Sequence, residues 1–133
     1  MTASRQDMVD TITAALPDVL AIYLFGTHGS DFERSDSDID VAVLGHQPLD
    51  SLVVWELSQH LATKLGHEVD LVDLAGASTV LQAQIIVQGE RLWCASVAHC
   101  GQYEVFVLSA YAHLNEERRS IIDDVVSRGN VYG

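Results

Sequence analysis

Apolar positions along this chain follow two periods, and the changes between them mark the elements. Residues 4–16 (SRQDMVDTITAAL) place Met8, Ile12, Ala15 and Leu16 at helical spacing, and Pro17 stops the run, which predicts a first helix. The next stretch, 19–25 (VLAIYLF), is continuously apolar, rich in strand formers and too short for a helix, so it reads as a central strand buried on both faces. Gly26 ends it, and 26–37 is polar and turn-rich. Residues 38–44 (DIDVAVL) alternate: Ile39, Val41 and Val43 share one face, while Asp38, Asp40 and Ala42 share the other.

After Pro48 a long amphipathic helix is expected, carried by Leu52, Trp55, Leu57, Leu61 and Leu65 and stopped by Gly66. Residues 67–74 (HEVDLVDL) read as a third strand with Glu68, Asp70 and Val72 on one face, so Asp70 can face inward beside the first two aspartates. Ser78 is positioned to cap a helix running to about Val87, Gly89 to end it, and RLWC (91–94) to form a short edge strand. A final helix is expected from about Tyr103 to Ser127. This order predicts an α/β (α+β) domain: a mixed sheet of about four strands, flanking helices and a long C-terminal helix. Strand order does not follow from the pattern.

Composition narrows the partners. With 133 residues, 48% of them hydrophobic, the chain can bury one ordinary core. Seven basic residues against nineteen acidic ones give a net charge of -12, which argues against direct nucleic-acid binding or an anionic membrane surface. No apolar run approaches the ~18 residues of a membrane span, and MTASRQDMVD lacks the layout of a signal peptide, so a cytoplasmic protein is expected. Cys94 and Cys100 form neither a CxxC pair nor a disulfide framework and read as reduced structural residues. The six histidines lack HxxxH spacing, and no zinc site is expected.

The chemistry concentrates between Phe25 and Asp40, where Gly26-Thr27 is followed after ten residues by Asp38-Ile39-Asp40. Gly26 permits close approach of backbone N–H groups to a phosphate, and Thr27 adds a hydroxyl donor. Two carboxylates two residues apart on a strand can grip magnesium ions that bridge phosphate oxygens, and Asp70 would complete the cluster. Each piece alone is ordinary, since a D-I-D strand can simply be half solvated and Gly-Thr is a common turn dipeptide. A chance Gly-[Ser/Thr]-x10-Asp-x-Asp match in this length is expected on the order of a few times per thousand chains. Apolar strands on both sides and a later VDLV strand make coincidence rarer still. Arg34, the one basic residue of the 26–37 segment, is either a triphosphate contact or a solvated arginine.

These residues resemble the minimal nucleotidyltransferases of the DNA polymerase beta superfamily, whose signature is Gly-Ser-x10-Asp-x-Asp with a third carboxylate on a later strand. The segments WELSQHLATKL, VDLVDLAGASTVLQAQIIVQGERLW and YAHLNEERRSIIDDVV further resemble MntA-type antitoxins of HEPN–MNT toxin–antitoxin pairs, so the likeness covers nearly the whole chain. Two positions depart from the pattern: the family's serine is Thr27, and Asp31 stands where many relatives have a glycine.

The resemblance implies a minimal nucleotidyltransferase fold in one domain, 1–133, with a catalytic core at 1–95 and a helical segment at 96–133. It implies a protein adenylyltransferase that moves AMP from ATP onto a tyrosine of the cognate HEPN RNase toxin and silences it. Asp38, Asp40 and Asp70 would be catalytic and hold two Mg2+ ions, with Asp70 acting toward the acceptor hydroxyl; Gly26, Thr27 and Arg34 would bind the nucleotide. A binding-only antitoxin that neutralises its toxin by covering it is the alternative. Transfer to a small molecule shares the motif but usually comes with an added acceptor domain. The last helix spreads Val105, Phe106, Leu108, Leu114, Ile121, Ile122, Val125 and Val126 over more than one stripe, so part of it is expected to cover the sheet core and the remainder, flanked by Glu116, Glu117, Asp123 and Asp124, to meet a partner surface that is basic because it binds RNA; a wholly intramolecular core helix is the alternative.

Overall fold

The computed structural model describes residues 5–25 and 39–132, with side chains up to Arg119. Its elements follow in the order α1 (Arg5–Ala15), β1 (Ala21–Phe25), β2 (Ile39–Leu44), α2 (Ser51–Leu65), β3 (Val69–Asp73), α3 (Thr79–Gln88), β4 (Glu90–Cys94) and α4 (Val97–Tyr132). A 3-10 turn, Leu74–Gly76, joins β3 to α3. The expected sequence of helices and strands and the mixed sheet are all present, and the order the pattern left open is β3-β2-β1-β4. Strand β1 runs antiparallel to both β2 and β4, whereas β2 and β3 are parallel, as the α2 crossover between them requires.

Alternation sorts the strand residues into two cores. Ile22, Leu24, Ile39, Val41, Val43 and Leu71 pack against Met8, Val9 and Ile12 of α1 and Leu57, Leu61 and Leu65 of α2. On the other face Ala21, Tyr23, Ala42 and Leu44 meet Leu74, Ile85 of α3 and Cys100 of α4. Because β1 is central and covered on both sides, its continuous apolar run is the pattern such a strand needs.

Three expectations are corrected. Leu52 and Trp55 do not belong to the buried face of α2; they are 59% and 60% exposed. The inward stripe is Leu57, Leu61 and Leu65, and Trp55, two residues before Leu57, points about 200° away from it. Ala15 is also exposed, and Thr11 is buried in α1 instead, its hydroxyl donating to the Asp7 carbonyl at 2.8 Å. Finally, α4 begins six residues before Tyr103 and runs past Ser127. Ser96 starts it: its carbonyl accepts from the Cys100 N–H at 3.0 Å and its hydroxyl from the His99 N–H at 3.3 Å.

Ser78 and Gly66, read from the sequence as cap and stop, are in place: Ser78 accepts from the Leu81 N–H, and Gly66 closes α2 at a φ of 71°, a left-handed turn that favours glycine. Asp50, which the sequence reading did not single out, caps the start of α2 by accepting from the Leu52 N–H. Gly89 follows α3 for another reason. A Cβ there would lie 2.5 Å from the Ile85 carbonyl oxygen and 2.9 Å from that of Leu24, so helix end and strand meet only because the position is bare.

Candidate active site

The parallel register of β2 and β3 sets Asp40 directly beside Asp70, and strands about 4.8 Å apart place the two carboxylates side by side on one face. That face is the one that carries Ala42, Leu44 and Val72 into the second core, and the aspartates stand where the core gives out. Asp40 is half-buried and Asp70 exposed. Across the antiparallel pairing, Phe25 lies directly opposite Asp40 on the same face. Between α2 and the start of β3, Gln59, Ala62, Glu68, Val69 and Asp70 line a groove of about 350 Å³. Two other hollows, near Pro17 and Pro48 and beneath Leu20 and Tyr103, lie at the opposite end of β2 and hold no pair of carboxylates.

Gly26, Thr27, Arg34 and Asp38 lie outside the described residues, as does Asp31. The two residues that bracket them, Phe25 and Ile39, stand at the sheet end where Asp40 and Asp70 meet. Among the described residues no three His, Cys, Asp or Glu side chains converge as a metal site, and Asp38, the third member of the expected cluster, is not one of those residues. Two adjacent carboxylates, both hard oxygen donors, suit Mg2+ rather than a softer metal.

Sequence reading missed one constellation on this face. The Tyr23 hydroxyl donates to Glu104 Oε2 at 2.7 Å, and Arg91 donates to the same oxygen at 3.0 Å, so one carboxylate of α4 clasps β1 and β4 together. Burial and the Glu104 carboxylate push the Tyr23 phenol well above its ordinary range. Alternation from Phe25 places Tyr23 on this face, but its apolar neighbours hide it as one more core residue, and Glu104 is 81 residues away. Asp73, by contrast, faces the other way and accepts from the Leu49 N–H at 2.8 Å, a purely structural use.

Asp40 and Asp70 thus stand side by side on a parallel strand pair, at the same sheet end as Phe25, the last described residue of β1. Residues 8–97 match the family model for polymerase beta nucleotidyltransferases. The chain belongs to the polymerase beta nucleotidyltransferase family.

Its similarity to particular members is extensive. It is 45% identical over 112 residues to the protein adenylyltransferase MntA of Shewanella oneidensis, a match that covers 84% of this chain and 80% of that one. Among solved structures it resembles a toxin–antitoxin complex with AMP-PNP, at 41% identity and a TM-score of 0.79 over 93% of this chain and 99% of the other. It also resembles the MNT antitoxin bound to a tri-AMPylated HEPN toxin from Shewanella oneidensis, at 41% identity and a TM-score of 0.75 over 92% of this chain and 95% of the other. As a member of this nucleotidyltransferase family, the chain takes a nucleotide as its substrate.

Proposed function

We propose that the chain is the antitoxin of a HEPN–MNT pair and a protein adenylyltransferase that moves AMP from ATP to a tyrosine of its cognate HEPN RNase toxin. The register match of Asp40 with Asp70 carries this reading, because it assembles from two strands the carboxylates that the reaction requires. In the transfer, the tyrosine oxygen bonds to the α-phosphorus as the bond to pyrophosphate breaks. Asp70, exposed at the sheet end, serves as base toward the incoming hydroxyl or orients it. Gly26 and Thr27 bind the triphosphate through backbone N–H groups and a hydroxyl, with Arg34 as the cationic contact. Asp38, Asp40 and Asp70 would hold the two Mg2+ ions, which when bound neutralise phosphate charge and lower the pKa of the attacking hydroxyl.

Residues 1–95 form the catalytic core in this reading, and 96–133 the helical segment that meets the toxin. In this reading the protein acts in the cytoplasm, beside its toxin and ATP; no helix among the described residues is long and apolar enough to cross a membrane.

Labelled ATP, Mg2+ and the toxin decide the matter. The native chain is expected to label the toxin and Asp40→Asn to lose labelling by several orders of magnitude with unchanged circular dichroism. Asp70→Asn should retain ATP binding but turn over slowly. Toxin inhibition without label transfer by the native chain would overturn catalysis in favour of a binding-only antitoxin, and near-normal labelling by Asp40→Asn would overturn the site assignment.

A further inference from the structure

Cys94 and Cys100, far apart in exposure, are neighbours in space. Cys94 pairs with Ala21 across the sheet, which turns its side chain toward the second core, where Cys100 of α4 is buried. The Cys100 thiol donates to the Leu20 carbonyl at 3.5 Å, and the Cys94 side chain packs against the same core cluster that contains Cys100. Both are free thiols, Cys94 half-buried and Cys100 1% exposed. A cavity of about 240 Å³ lined by Leu20, Leu44, His99, Cys100 and Tyr103 opens beside them. None of these residues serves the nucleotide-transfer reading.

We infer that Cys94 and Cys100 form a peroxide-oxidisable pair whose disulfide staples the first turn of α4 to edge strand β4. The more exposed Cys94 meets the oxidant. Its thiolate attacks one peroxide oxygen, the O–O bond breaks, and the departing hydroxide leaves as water, so Cys94 becomes a sulfenic acid. The Cys100 sulfur then attacks the Cys94 sulfur, the S–O bond breaks, and the Cys100 proton leaves with the oxygen as a second water. Two thiols are oxidised and one peroxide is reduced to two waters. Cys100 takes the resolving role because, at 1% exposed, it is shut away from the oxidant that reaches Cys94. The staple would sit one helical turn before Glu104, on the face of α4 that already clasps Tyr23 and Arg91.

The full chain treated with hydrogen peroxide tests this. Trypsin releases residues 92–118 as one peptide that carries both cysteines. The expected product is that peptide short of two hydrogens, restored by dithiothreitol, and absent from Cys94→Ser and Cys100→Ser. Amide hydrogen exchange across 97–104 should slow in the oxidised native chain. Oxygen added at Cys94 with Cys100 unchanged, a disulfide between two copies, or no reaction would each overturn the pair. A disulfide that leaves exchange at 97–104 unaltered would overturn the staple.

Discussion

Gly89 shows how one missing side chain fixes the geometry around the candidate site. Its bare Cα lets the end of α3 rest on Leu24 and Phe25, and Phe25 lies opposite Asp40. Both close neighbours are backbone oxygens and cannot swing aside, so Gly89→Ala should cost about 1–3 kcal/mol. Urea denaturation would measure the loss, and an unmoved midpoint would show that the turn accommodates a Cβ at this position. Tyr23→Phe removes a hydrogen bond to a carboxylate and should cost about 1–2 kcal/mol, in the lower part of the range for charged partners because Glu104 keeps Arg91. The same substitution has a pH signature. Burial raises Tyr23 and takes Tyr103 up to about 12 and Cys100 up to about 11, so an unfolded chain releases these protons first. Their contribution is complete below the unfolded values of 9.0 and 10.0 and is lost as pH rises through that range toward 12. Stability followed from neutral pH to about pH 11 should fall less steeply in Tyr23→Phe; identical slopes would refute the coupling.

Among the elements, α4 is the longest described. Its 36 residues extend about 54 Å, and among its described side chains, 97–119, the buried ones are Cys100 and Val107. Val105 and Phe106 are 66% and 67% exposed on a helix that also carries Glu116 and Glu117, so the apolar surface and acidic flank expected of a docking helix are present together. Phe106→Asp should weaken toxin binding about tenfold or more, the effect of losing one aromatic anchor, while circular dichroism and ATP binding stay unchanged. Undiminished binding would assign docking to another surface. The extent of α4 was also the least legible element in the sequence. Its start, expected at about Tyr103, lies six residues earlier, and Gly101 sits within it on an open helix face where a Cβ would meet nothing within 4 Å. The outward Leu52 and Trp55 escaped because their hydrophobicity fits helical periodicity loosely, and only the packing of Leu57, Leu61 and Leu65 fixes the register.

Across the whole molecule, legibility followed locality. Strand faces, caps and the pairing of aspartates depend on alternation and on residues within a few positions, and these could be read from the sequence. Strand order and the Tyr23–Glu104–Arg91 clasp depend on contacts between distant segments, which no periodicity encodes. Net charge is the one global property written fully in composition, and it supports a last prediction. At -12, the chain surrounds itself with a negative field. A toxin whose surface binds RNA is basic where the RNA lies, so the proposed partners attract before they touch. Added salt shortens the reach of that attraction from about 30 Å at 0.01 M to about 8 Å at 0.15 M. The association rate measured by stopped flow should therefore fall by about tenfold or more over that interval while the dissociation rate changes little. Phe106→Asp should do the reverse, since a lost apolar anchor speeds dissociation and leaves the long-range field nearly intact. An association rate indifferent to salt would show that the toxin approaches this chain through a surface that is not basic.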